Sequence, residues 1–163
     1  MRHQGTLSSK LTLNQNDSSQ RNAILSAQTT DSIVINNETY SLYSTPLILW
    51  HGFEKFSDAL PCGHSGNKRG YTADWTISNK KLYMIGIDTF HPESEKPTVY
   101  DLFGESPAFA VWFSGELSIL IEGIDEYCWT GDDSTQKWLI IDVRSGRVSS
   151  QNEKQINLKN KYK

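Results

Sequence analysis

Little in this chain can form a covalent or metallic framework. Two cysteines, Cys62 and Cys128, stand among 163 residues, too few for the multi-bridge scaffold of a small secreted domain. A reduced, cytoplasmic protein is the simpler expectation. Met1-Arg2-His3 is charged, but Gln4 to Asn22 offers no apolar run of about 7–15 residues, so no secretory signal is expected. No segment approaches the roughly 18 consecutive apolar residues of a membrane-spanning helix, and no membrane partner is expected. Gly63, Gly66 and Gly70 lack the Gly-Lys-Ser/Thr ending of a phosphate loop and sit in no βαβ unit. A G-x-S-x-G nucleophile elbow is also missing. These gaps point away from an enzyme and from a bound cofactor.

Positive charge is scarce where it would matter. Residues 31–150 carry nine basic and seventeen acidic side chains, a net of −8, while 1–30 and 151–163 are net positive. A body that acidic argues against nucleic acid as the ligand, because phosphate binding needs a cationic surface. It suits a protein partner with a basic surface, or simple solubility.

What is present is concentrated in the middle. All five Trp, all six Phe and six of the seven Tyr fall within 31–150, whereas 1–30 is dominated by Ser, Thr, Asn and Gln. The expected organisation is a polar leader over 1–30, one β-rich domain over 31–150 and a basic polar tail over 151–163.

The longest apolar segment, Ala108 to Ile121, alternates. Read at period two, Phe109, Val111, Phe113, Leu117, Ile119 and Ile121 share the core face of a strand. Fourteen extended residues would span roughly 45 Å, so a bend is expected at Ser114-Gly115. Ser32–Ile35, Asn36-Asn37 and Glu38–Tyr43 predict a hairpin, the Asn pair supplying positive φ. Arg69–Ser78 alternates Tyr71, Ala73, Trp75 and Ile77 against Thr72, Asp74, Thr76 and Ser78, and returns through Ser78-Asn79-Lys80 along Lys81–Asp88. Gln136–Arg144, a Ser145-Gly146 turn and Arg147–Ser150 predict a third hairpin. Leu47–Phe56 fits either a short strand or a turn of helix, 57–70 a loop, and Val99–Phe103 a helical turn closed by Gly104. The fold class is all-β or β-dominated α+β, a curved antiparallel sheet closing toward a barrel or two-layer sandwich.

Residue type admits three chemistries. Cys62 and His64 lie two apart with no second ligand pair, so no metal site is expected. A thiolate nucleophile at Cys62 or Cys128 would need His51, His64 or His91 within hydrogen-bond reach. Carboxylates are denser: Glu116, Glu122, Asp125, Glu126, Asp132 and Asp133 lie within eighteen residues with no Lys or Arg among them. Paired carboxylates serve glycoside hydrolysis, but this run reads better either as a solvated acidic turn region or as an acidic rim around Trp129 for docking a basic protein. A ligand-binding or hydrolytic barrel is the alternative, with Trp75, Trp112 and Tyr83 lining a cavity.

The segments RGYTADWTI (69–77), KLY (81–83) and FAVWFSGEL (109–117), preceded by an INNETYSL hairpin, carry a resemblance. Together they resemble small bacterial proteins sharing an RGYxAxWxI…KLYL…FAxWFSGxL core, similar in size and charge to immunity proteins encoded beside secreted antibacterial toxins. The resemblance spans 32–148 and implies a β fold, a bacterial origin and a cognate toxin domain as partner. It carries over no catalytic residue.

Overall fold

A computed structural model describes residues 28–124 and 135–161. The three expected hairpins form. Strand β1 (Asp31–Ile35) turns through Asn36 and Asn37, with φ of 52° and 67°, into β2 (Glu38–Leu42). Strand β3 (Tyr71–Ser78) turns through Asn79 and Lys80, also at positive φ, into β4 (Lys81–Thr89). Between the two hairpins, 47–56 resolves into a 3-10 turn (Pro46–Leu49) followed by helix α1 (Phe53–Asp58). Helix α2 (Val99–Phe103) follows β4; Thr98 and Asp101 cap it reciprocally and Gly104 ends it in the left-handed conformation.

Ala108 to Ile121 is not one strand. A two-residue strand β5 (Ala108–Phe109) pairs with β4, and a separate strand β6 (Gly115–Glu122) pairs with β2 and with β7 (Thr135–Arg144). The turn between them, in which Val111 donates to the Phe109 carbonyl and Phe113 to that of Ala110, resets the alternation. Ala108 and Ala110 are therefore buried, Phe109 is half-buried and Val111 is 58% exposed. The core face expected of Phe109 and Val111 is corrected accordingly; Phe113, Leu117 and Ile119 keep it.

Strand β8 (Arg147–Asn157) runs past the expected domain end at 150, pairing with β7 along its whole length, and a short helix α3 (Leu158–Lys161) anchors fully buried Leu158. Between Val148 and Ile156 the side chains of β8 are polar on both faces, so no hydrophobic period marks it.

Seven strands close into a mixed barrel in the order β3-β1-β2-β6-β7-β8-β4 and back to β3. Ile33, Leu42, Trp75, Leu82, Met84, Leu117, Ile119 and Ile141 fill it. All neighbours are antiparallel except β1 and β3, which are parallel. That pairing is held by side chains as well as by the ladder. Asp31, 1% exposed, accepts from Arg69 Nη2 (2.9 Å) and the Ala73 amide (3.1 Å) through Oδ1, and from Trp75 Nε1 (3.1 Å) through Oδ2. On the other face, Ser32 donates to Asp74 (2.6 Å) and Thr76 to the Val34 carbonyl (3.0 Å). Burial pushes the Asp31 carboxyl above its usual range, opposed by Arg69 and by the bonds from Trp75 and Ala73. Beside it, burial pushes the Tyr71 hydroxyl up to about 12.

Asp31→Ala leaves a guanidinium, an indole N–H and a backbone amide without their acceptor, and is expected to cost about 3–5 kcal/mol in urea unfolding. The sign with pH is also fixed. A carboxyl whose folded value is raised binds a proton more readily folded than unfolded, so its contribution improves as pH falls through that raised value. The stability advantage of wild type over Asp31→Asn is expected to grow as pH is lowered from 7 toward 4; a shrinking advantage would refute the assignment.

Candidate functional site

Closure of the barrel is uneven, and this creates an acid-rimmed groove. The second edge of β4 is shared. Strand β8 takes only Lys81, paired with Arg147, and β5 takes Tyr83 and Met84. Gly146 sits at the junction: a Cβ there would lie 2.7 Å from both the Ala110 carbonyl oxygen and the Phe109 ring, and its φ is +75°. Beyond Arg147, β8 leaves β4 and runs on with β7 as a free arm. Gln151 and Glu153, cross-strand partners of Ile141 and Leu139, face inward, and among the described residues no further strand pairs with β8 there.

The resulting mouth is a groove of about 690 Å³ between that arm and the end of the β1–β2 hairpin. Ile35, Ile77, Ile121, Leu139 and Ile141 form its floor, and Glu38, Tyr40, Glu122 and Glu153 stand around it. The Tyr40 hydroxyl donates to the Glu38 carboxylate, which raises the Tyr40 pKa above its ordinary value. Lys137 Nζ lies 3.3 Å from Glu153 and 3.5 Å from Glu122, and these two carboxylates hold its pKa above the usual lysine value. Three carboxylates against one ammonium leave the rim net negative.

Of the acidic residues expected to form a dock, the structure places Glu122 in this rim. Glu116 is exposed at the far end of β6, about 20 Å of strand away, opposite Asp142 and beside Ser114, Arg144 and Ser150. The two do not share a site. Asp125, Glu126, Trp129, Asp132 and Asp133 lie outside the described residues, in the link between β6 and β7.

Glu38 and Glu153 were missed by sequence reasoning. A signal for Glu38 exists: in register with Tyr40 and Leu42 it occupies the inward face of β2, where a carboxylate has no place in a packed core. Glu153 had none, because both faces of its strand are polar.

The other candidates scatter. Trp75 is in the barrel interior, Tyr83 pairs with Phe109, and Trp112 donates to the Pro46 carbonyl (3.1 Å) while stacking on Phe103. None of the three lines the barrel-mouth groove. Cys62 is exposed in the 59–70 loop; His64 Nδ1 accepts from the Gly66 amide, and His91 pairs with Thr89. Cys128 lies outside the described residues, and among the described residues no three His, Cys, Asp or Glu side chains gather as a metal set. A second, mainly apolar cleft of about 470 Å³ between α1 and α2 is lined by Trp50, Phe56 and Leu102 with Lys55 and Asp101 at its edge. No helix among the described residues is long and apolar enough to cross a membrane. No protein-family model, curated protein or solved structure matches the chain.

Because the rim carboxylates are exposed, they contribute little to folding. Glu38→Gln, Glu122→Gln and Glu153→Gln are each expected to leave the thermal midpoint within about 2 °C of wild type. A large drop in any of them, read by circular dichroism, would make that carboxylate a structural residue.

Proposed function

We propose that this chain is a non-enzymatic protein-binding module whose barrel mouth docks on a basic partner, and that its role is that of an immunity protein blocking a cognate bacterial toxin domain. The observation that carries the reading is the placing of Glu38, Glu122 and Glu153 around an aliphatic floor with Lys137 as the cation between two of them. Apolar floor supplies affinity on desolvation; charge of one sign speeds encounter and fixes register. The net −8 of residues 31–150 extends the same field beyond the rim. If the toxin is a nuclease, the carboxylates stand where substrate phosphates would bind. The likeness of the RGYTADWTI and FAVWFSGEL segments to toxin-neighbouring bacterial proteins adds the biological setting, a bacterial cytoplasm.

The test is co-expression with the product of the neighbouring reading frame in a bacterial host. Wild type is expected to restore growth and to co-purify with that product, with affinity falling as salt rises. The folded triple variant Glu38→Gln/Glu122→Gln/Glu153→Gln is expected to lose protection. Full protection by the triple variant would remove the mouth from the interface; no protection by wild type would sink the immunity role.

A further inference from the structure

Lys137 shows what chemistry the mouth accepts. Its ammonium is held between Glu122 and Glu153, which line the groove beside Ile121 and Leu139. The chain thus holds an alkylammonium ion of its own in one half of the rim. In the other half, Glu38 has Tyr40 as its hydrogen-bond donor and no cation within ion-pair distance among the described residues. A lysine or arginine side chain matches that second half in both respects. Its aliphatic stem covers Ile floor while its head stays at the wet edge, the way long cationic side chains bury their methylenes.

We propose that the mouth is a receptor for an extended basic segment of the partner, one lysine or arginine of which lies over the aliphatic floor with its charge at Glu38. Lys137 is the internal competitor for the same field. This rests on the reading of the mouth as a protein dock and adds the partner's chemistry and the part played by Lys137. Two opposed consequences follow. Removing a rim carboxylate weakens binding. Removing Lys137 strengthens it, because Glu122 and Glu153 are then released to the incoming cation. A lysine that merely stabilises the arm would give the reverse.

The probe is hexalysine, titrated at low salt into full-length protein labelled at Ile and Leu methyl groups and followed by NMR. Shifts are expected at Ile35, Ile77, Ile121 and Leu139. Glu38→Gln is expected to bind about threefold more weakly and Lys137→Met about threefold more tightly, the scale of an exposed ion pair. A hexamer of 2,3-diaminopropionic acid carries ammonium groups on one-carbon stems and is expected to bind more weakly than hexalysine, since it cannot cover the floor. Shifts confined to other surfaces, equal binding of the two hexamers, or unchanged or weaker binding by Lys137→Met would each overturn the proposal. These readouts need no toxin. Failure here with protection intact in co-expression would leave a dock that does not read lysine, whereas success here with no protection would leave a basic-segment receptor with another partner.

Discussion

The buried carboxylate of Asp31 is the contact on which closure of this barrel depends. Strands β1 and β3 are the parallel pair, and a parallel pair cannot be joined by a tight turn. The 35 residues of chain from 36 to 70, including β2, α1 and a long loop, separate them. Asp31 reaches residues 42 and 44 positions away, at Ala73 and Trp75, and fixes the register in which Ile33 lies beside Trp75. A slip by one residue would turn Trp75 out of the interior. An ionised group in that position is tolerated only because each oxygen is used: one by Arg69 and an amide, the other by an indole. The preceding residues are bound as well. Thr29 donates to the Gly66 carbonyl and Arg69 to that of Thr29, so the entry into β1 is tied to the loop that leads into β3.

The weak point of the ring lies at β4. Its far edge is divided between β5 and the first residue of β8, and the packing of Gly146 against Ala110 and Phe109 leaves no room for a side chain. Strands β4 and β8 both begin at this junction and run in opposite directions from it, so they pair only at Lys81 and Arg147. Beyond the junction no further strand among the described residues pairs with the arm's free edge, and its inward-facing positions carry Gln151 and Glu153 where a closed barrel would need aliphatic residues. The groove is a consequence of closure on one residue pair.

The local half of this fold was legible. Asn36-Asn37, Asn79-Lys80 and Ser145-Gly146 announce turns because their backbones accept positive φ, and the alternation of Tyr71, Ala73 and Trp75 places β3 without ambiguity. Non-local features were not. The split of Ala108 to Ile121 depends on which neighbour each half finds, β4 for Ala108 and β2 with β7 for Leu117 and Ile119, and period-two patterning is blind to neighbours. The arm of β8 is stabilised by its ladder with β7, and backbone hydrogen bonds leave no mark on side-chain pattern. Of the expected acidic rim, Glu122 and Glu116 proved to be at opposite ends of one strand, since proximity in sequence along an extended chain is distance in space.

Asp31 and the rim glutamates show one functional group put to two uses by burial. Removed from water, Asp31 has both carboxylate oxygens engaged within the fold and so offers nothing to a partner. Glu38, Glu122 and Glu153 remain hydrated, cost folding little, and keep their charge available at the edge of an apolar floor. Their mutual repulsion sets a limit on how acidic the mouth can be, and Lys137, shared between Glu122 and Glu153, relieves it in the free protein. In the proposed complex the partner's cation takes over that task. There, the ion that makes the empty mouth tolerable is the one that yields when the mouth is filled, and the strength of docking follows from the difference between the two.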